Sequence, residues 1–316
     1  MVPVGSGSTP YADAMTADPT GHRHVLRSAN ATAELTEVGA SLRALQVDGV
    51  DVIARYPDGV PAPAASGVVL VPWPNRIRDG RWSLDGAEYQ LAITEPKLGN
   101  ASHGLLRFAP YRVEAATTDA VTLAADVFPQ TGYPFHLATQ VTYALTADGI
   151  DVVHTVTNVG EATAPAALGT HPYLCIADTP TADLTLQVAA DRRYRVDERM
   201  LPVGDPVPVE AGTDLRDPRR VGDLRLDTAF TDLARDADGR VRGVLRAPDG
   251  REVELWGGEA ITTLQVFTTD RYPGHDLAVA IEPMTAPADA FNSGRDLMLL
   301  APGASWEVRW GIVTRF

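Results

Sequence analysis

The chain is poor in cysteine and lysine. Cys175 is the one cysteine in 316 residues, so no disulfide can close within the chain and no Cys-based zinc cluster can be assembled. Lys97 is the one lysine. It sits in Glu95-Pro96-Lys97-Leu98-Gly99, which begins neither a strand nor a helix, so imine chemistry and phosphate-loop chemistry fit poorly. Positive charge is also scarce: Lys and Arg total 27 against 41 Asp and Glu, a formal charge of -14. That balance argues against nucleic acid as a partner and against binding to an anionic membrane by bulk charge. No apolar run approaches the about 18 residues of a membrane-spanning helix. Residues 1–20 read as a flexible N-terminal tail. Met1 to Asp18 is rich in Gly, Ser, Pro, Thr and Ala and lacks the basic start and apolar run of a signal peptide. The expectation is a soluble, cytoplasmic protein.

Turn signals dominate what is present. Asp-Gly occurs seven times, among them Asp85-Gly86, Asp148-Gly149 and Asp249-Gly250. The pair supplies the positive φ angles of tight hairpins at little steric cost. Apolar residues alternate around these turns: Val141, Tyr143 and Leu145 before Asp148-Gly149, then Ile150, Val152 and Val156 after it. Trp82 and Leu84 precede Asp85-Gly86, and Trp306, Val308, Trp310 and Ile312 alternate near the end. Each run predicts a half-buried strand. The 24 prolines are spread so evenly that few gaps would hold a long amphipathic helix. The fold class expected is all-β, a large antiparallel sandwich, with residues 21–316 as a single domain. The stretches around 196–223 and 283–303 are expected to be loops at the rim of a cavity.

Chemistry has to be sought in isolated polar residues, because the familiar nucleotide, zinc and serine-hydrolase motifs are absent. In Thr170-His171-Pro172-Tyr173 the proline pushes His171 into extended backbone. An imidazole held this way suits a general acid near neutral pH; a histidine satisfying a core hydrogen bond is the plainer reading. Leu277 to Ile281 reads as a buried strand ending in Glu282-Pro283. A carboxylate there is expensive to bury, and burial would raise its pKa toward that of a useful base; an exposed strand-end glutamate is the alternative. Asn75-Arg76 follows an apolar run and two prolines, where a planar guanidinium could clamp hydroxyls or an anion. His103 precedes Gly104, a glycine that would let a ligand approach. Asp227 and Gln265 are polar positions between apolar neighbours, open equally to a turn or a solvent-facing role. No histidine pair has metal-ligand spacing, so no metal is expected.

Taken in order, these segments resemble the aldose 1-epimerase (galactose mutarotase-like) family from about His24 to Trp310. The resemblance is carried by Val38-Gly39-Ala40-Ser41-Leu42, Pro74-Asn75-Arg76-Ile77, His103-Gly104, Thr170-His171-Pro172-Tyr173, Leu226-Asp227-Thr228-Ala229-Phe230, Leu264-Gln265-Val266-Phe267 and Ile281-Glu282-Pro283. It implies a galactose mutarotase-like supersandwich with a sugar cleft across one sheet and no cofactor. By the same resemblance Glu282 would be the general base and His171 the general acid. Arg76, His103, Asp227 and Gln265 would hold the sugar, with Asn75 and Tyr173 beside them. Glu282-Pro283-Met284-Thr285 and His103-Gly104-Leu105 differ from the pattern of the best-known members, which leaves the sugar open.

The expected reaction is interconversion of the α and β anomers of a hexose, by a protein that is a monomer or a homodimer. Three other readings stand beside it. One is a carbohydrate-binding protein using Arg76, Asp227 and aromatics such as Trp73. Another is an epimerase of a phosphorylated or sulfonated sugar, with Arg78, Arg81 and Arg107 as a cationic patch. The third is a glycoside hydrolase or lyase with Glu282 and Asp227 flanking the bond.

Overall fold

Two large antiparallel sheets lie face to face in the computed structural model, which describes residues 18–316. Among the described residues every strand pair that forms a ladder is antiparallel, and the one α-helix is the short Ala290–Ser293. No helix among them is long and apolar enough to cross a membrane. The predicted tail lies outside the described residues as far as residue 17. Asp18 and Thr20 are tied down, with Asp18 accepting from the Thr20 backbone and hydroxyl and pairing with Arg23 at 2.6 Å.

The nine-stranded sheet runs from Arg112–Ala116 at one edge to Arg219–Arg220 at the other, with Gly149–Asn158, Ser305–Arg315 and Glu252–Gly257 in its middle. Two of its hairpins turn at Asp-Gly pairs, Asp148-Gly149 and Asp249-Gly250. Asp85-Gly86 joins Arg81–Leu84 to Ala87–Gln90 in a separate small ribbon, with both φ angles positive. Asp148-Gly149 departs from that explanation. Gly149 has no positive φ; instead, a Cβ there would lie 1.8 Å from the Ile312 carbonyl oxygen, so the glycine permits close approach of a neighbouring strand.

The eight-stranded sheet carries the residues of interest. Its central strands are Asp227–Leu233, Thr263–Thr269 and Ala278–Met284, followed by Gly169–Thr170 and then Val69–Leu70. Period-two alternation sorts their side chains. Val279, Ile281, Leu264, Val266 and Phe230 point into the main core between the sheets, where Ile281 packs so closely that Gly243 opposite has no room for a Cβ. Ala280, Glu282, Gln265 and Phe267 therefore share the other face. Polar groups gather on that face because the inner one is already filled with aliphatic side chains.

Candidate active site

The strand that holds Glu282 does not end there, as the sequence reading expects. Ala278–Met284 continues through Pro283, and all seven of its residues are buried. Pro283 is accommodated because the neighbouring chain leaves the ladder at the same level. Gly169 faces Met284 and Tyr173 faces Ala280, while Thr170, His171 and Pro172 between them form no ladder pairs with this strand. The register on either side sets His171 opposite Glu282. On the other flank, Gln265 is paired directly with Glu282. One row across three chains thus reads His171, Glu282, Gln265. The next row on the same face reads Tyr173, Ala280, Phe267, Asp227.

His171 and Glu282 meet: Nε2 lies 3.2 Å from Oε1, with the two residues 5% and 2% exposed. Burial penalises the charge on each. It pushes His171 down to about 4, helped by the positive fields of Arg107 and Arg76. Burial also raises Glu282 well above the ordinary glutamate range. Asp227 adds to the rise and Arg76 opposes it. Sequence reasoning anticipates the raised carboxylate but places an imidazolium near neutral pH. A fully enclosed ring between two arginines does not hold its own proton that firmly, so the proton belongs to the pair.

Asn75 and Arg76 arrive beside His103 because the strands Arg76–Arg78 and Asn100–Ser102 pair, with Arg76 facing Ser102. The His103 amide then donates to the Asn75 carbonyl at 2.8 Å. Both Asn75 and His103 adopt left-handed backbone, at φ 54 and 64. Gly104 follows at φ 72, and a Cβ there would stand 2.2 Å from the Val71 carbonyl oxygen. Gly104 therefore admits a neighbouring backbone rather than a ligand, which corrects the expectation, and it fixes where His103 points. The His103 ring stands edge-on to His171, with centroids 5.7 Å apart. Burial, then His171 and the two arginines, keeps it neutral, with its pKa well below the usual histidine value.

These groups line a cavity of about 240 Å³, the scale of one monosaccharide, together with Thr94, Glu95, Ser102, Arg107 and Phe267. Gln265 donates to Asp227 at 2.5 Å. Burial raises the Asp227 pKa, although Arg76 and Gln265 oppose the rise. Four buried side-chain atoms without a protein partner belong to lining residues: His103 Nδ1, Arg107 Nε, His171 Nδ1 and Glu282 Oε2. A larger hollow of about 550 Å³ near Arg55, Cys175 and His275 has no such orphans. A small enclosed hollow lined by carboxylate, imidazole, amide and guanidinium groups suits a polyhydroxylated ligand.

Not every candidate reaches the cavity. Tyr173 is fully buried behind it, its ring stacked on His171 at 5.1 Å. Trp73 is in the core, edge-on to Phe291, and offers no sugar platform. Arg78 is engaged by Asp197 at 2.9 Å, and Arg81 by Gln90 at 2.9 Å; neither lines the cavity. Arg107 does, and among the described residues no carboxylate pairs with it. Glu95 goes unnoticed in the sequence. It reaches Arg76 through two bonds of 2.8 and 3.0 Å. Like His171 and Glu282 it precedes a proline, Pro96, but it lies in a polar, turn-rich loop with no apolar strand before it to make it stand out.

The structure is thus an antiparallel sandwich with a small polar cavity on the outer face of one sheet, centred on an enclosed carboxylate and imidazole. The chain belongs to the aldose 1-epimerase family, whose model matches residues 22–312. It is 35% identical over 276 residues to the uncharacterized protein YihR of Escherichia coli K12, covering 86% of each chain. It is 32% identical over 213 residues to galactose mutarotase of Rattus norvegicus, covering 62% of this chain and 61% of the rat protein. Among solved structures, the GalM/aldose epimerase homologue from C. elegans superposes with a TM-score of 0.80 at 18% identity, over 93% of this chain and 99% of that one. A putative aldose 1-epimerase from E. coli K12 gives 0.79 at 20% identity, again over 93% and 99%.

Proposed function

We propose that this cavity interconverts the α and β anomers of a hexose by opening and reclosing the ring. The observation that carries the reading is the enclosed His171–Glu282 pair, 3.2 Å apart at the base of a polar hollow. A protein that only bound sugar would have no need to bury two groups that each lose by being charged.

Between them the pair holds one proton. With the proton on His171, the Glu282 carboxylate takes the proton from the anomeric hydroxyl while the imidazolium gives its proton to the ring oxygen. The bond from the anomeric carbon to the ring oxygen breaks, and an aldehyde forms. The pair still holds one proton, now on Glu282. Rotation about the first carbon–carbon bond presents the other carbonyl face, and the same transfers in reverse close the opposite anomer. Each positioned transfer contributes on the order of 10²–10⁴ in rate. Arg76, Asp227, Gln265 and neutral His103 hold the hydroxyls and orient the ring, with Asn75 supporting Arg76 through a 3.3 Å bond.

Exchange between anomeric proton signals, measured by NMR with and without protein, tests this directly. Free hexoses should exchange faster than buffer alone allows. No acceleration on any free, phosphorylated or sulfonated sugar would end the reading.

A second reading has one observation in its favour. Arg107 is a half-exposed guanidinium at the cavity wall with a buried, unpartnered Nε. Burial lowers its pKa, and Glu95 restores part of the loss. A sugar bearing a phosphate or sulfonate would supply the anion it lacks. On this reading the acid/base chemistry is unchanged and only the substrate's substituent differs.

A further inference from the structure

Arg76 is held from behind. Glu95 meets it with two parallel bonds, Nε to Oε2 at 2.8 Å and Nη2 to Oε1 at 3.0 Å. That fork fixes the plane of the guanidinium as well as its position. Glu95 is fixed in turn. Its backbone closes a tight turn with Asn100, the two exchanging bonds of 3.0 and 3.3 Å, and the Asn100 amide donates to Oε2 at 3.3 Å. Arg199, from a distant segment, clamps the same turn through the carbonyls of Leu98 and Gly99 and the side chain of Asn100.

The pairing also sets a charge balance. The charged or titratable groups around the cavity are Arg76, Arg107, His103, His171, Asp227 and Glu282, with Glu95 itself. Burial opposes the charge on Arg76, yet its pairing with Glu95, then Asp227 and Glu282, raises its pKa. Arg76 in turn lowers the proton affinity of both Asp227 and Glu282. Glu95 acts on Asp227 in the opposite sense.

We propose that Glu95 is a positioning residue with two effects: its fork aims Arg76 at the sugar, and it keeps the guanidinium from turning onto Glu282, which stays free to take the sugar's proton. The inference rests on the reading of the cavity as an anomer-interconverting site. Without the Glu95 charge, Arg76 is free to turn toward Asp227 or Glu282. It then withdraws from the sugar and holds Glu282 in its ionised form.

Anomer exchange of D-galactose and D-glucose, measured against pH on the full-length protein, tests this with E95Q and E95D. For E95Q the expected result is a KM raised about tenfold, together with a basic limb of the pH profile moved to lower pH by about half a unit or more. E95D keeps the charge on a shorter arm, so it should retain the wild-type limb while KM stays raised. A variant that merely loosened the fold would lose rate at every pH without moving the limb. E95Q with KM within twofold of wild type, or with an unmoved limb, overturns the proposal. Should E95Q fail to fold, an E95D limb displaced as far as half a unit overturns it equally. A wild-type protein that accelerates neither these sugars nor phosphorylated or sulfonated ones overturns the underlying reading, a result distinct from an active wild type with an indifferent E95Q.

Discussion

His171 and Glu282 stand across from each other on adjacent chains of one sheet, Nε2 to Oε1 at 3.2 Å, where the ladder between those chains is broken. The break and the pair have one origin. Pro172 and Pro283 cannot donate to a ladder, and each follows a residue of the pair. Opening the sheet at that level frees two side chains to meet on its outer face, while Ile281 still packs into the core. Either charge is costly in that enclosure, and in the proposed mechanism a single proton is shared by the two partners.

Removing either partner should abolish most of the rate. Glu282→Gln and His171→Asn are each expected to lower kcat by about 10² to 10⁴, the range of one positioned proton transfer. Sugar affinity should change much less, since Arg76, Asp227 and Gln265 remain. Anomer-exchange NMR gives the rate, and calorimetric titration gives the binding. A Glu282→Gln protein within threefold of wild-type kcat would remove the pair from the mechanism.

The pH profile should belong to the pair rather than to either residue. Adding a second proton requires His171 to accept one beside a neutral Glu282, so the acid limb should lie near its lowered value of about 4. The basic limb marks loss of the last proton, and Glu282 is raised well above the usual carboxylate range. Activity is thus lost as pH falls through about 4 and again as pH rises through that upper step. If His171 acted alone as the acid with its value near 4, the rate would already decline as pH rises above about 4. Rates extrapolated to zero buffer separate the two cases.

Much of this arrangement is legible in residues that precede prolines. His171-Pro172 and Glu282-Pro283 announce extended, pinned backbone, and the Asp-Gly pairs announce the hairpins that bring distant segments together. Other parts are hidden for physical reasons. Glu95 looks like any acid in a turn, because its importance arises only when the loop folds back along Arg76. Arg107 is one arginine among three in neighbouring segments, and what separates it is that it lines the cavity while Asp197 and Gln90 engage Arg78 and Arg81 elsewhere. Gly104 looks like a gap for a ligand, but the gap is filled by the Val71 backbone. Trp73 looks like a sugar platform, yet it sits among core aromatics. In each case a contact between distant segments decides the role.

Arg107 offers a test of which sugars fit. Arg107→Gln should leave KM for a neutral hexose within about twofold, because no described hydrogen bond or ion pair depends on the guanidinium. For a phosphorylated or sulfonated hexose, losing a charge-assisted bond of roughly 1.5–3 kcal/mol should raise KM about tenfold or more. KM measured by anomer exchange on matched neutral and anionic sugars reads the difference. Equal effects on both would assign Arg107 to the wall of the cavity without a part in recognising an anion.

His154 should govern part of the acid sensitivity of the fold. It lies fully enclosed in the nine-stranded sheet, where Trp310 Nε1 donates to its Nε2 at 2.9 Å. Burial lowers its pKa from 6.5 to about 3. The folded protein therefore binds fewer protons than the unfolded chain between those values. The resulting stability is complete above pH 6.5 and is lost as pH falls toward 3, at about 1.4 kcal/mol per unit within that window. His154→Gln keeps an acceptor for Trp310 but carries no titrating ring. Urea unfolding of the two proteins between pH 7 and 4 should show free energies that converge as pH falls, with wild type declining more steeply. Parallel declines would mean that His154 takes its proton in the folded state, and that the Trp310 hydrogen bond does not survive there.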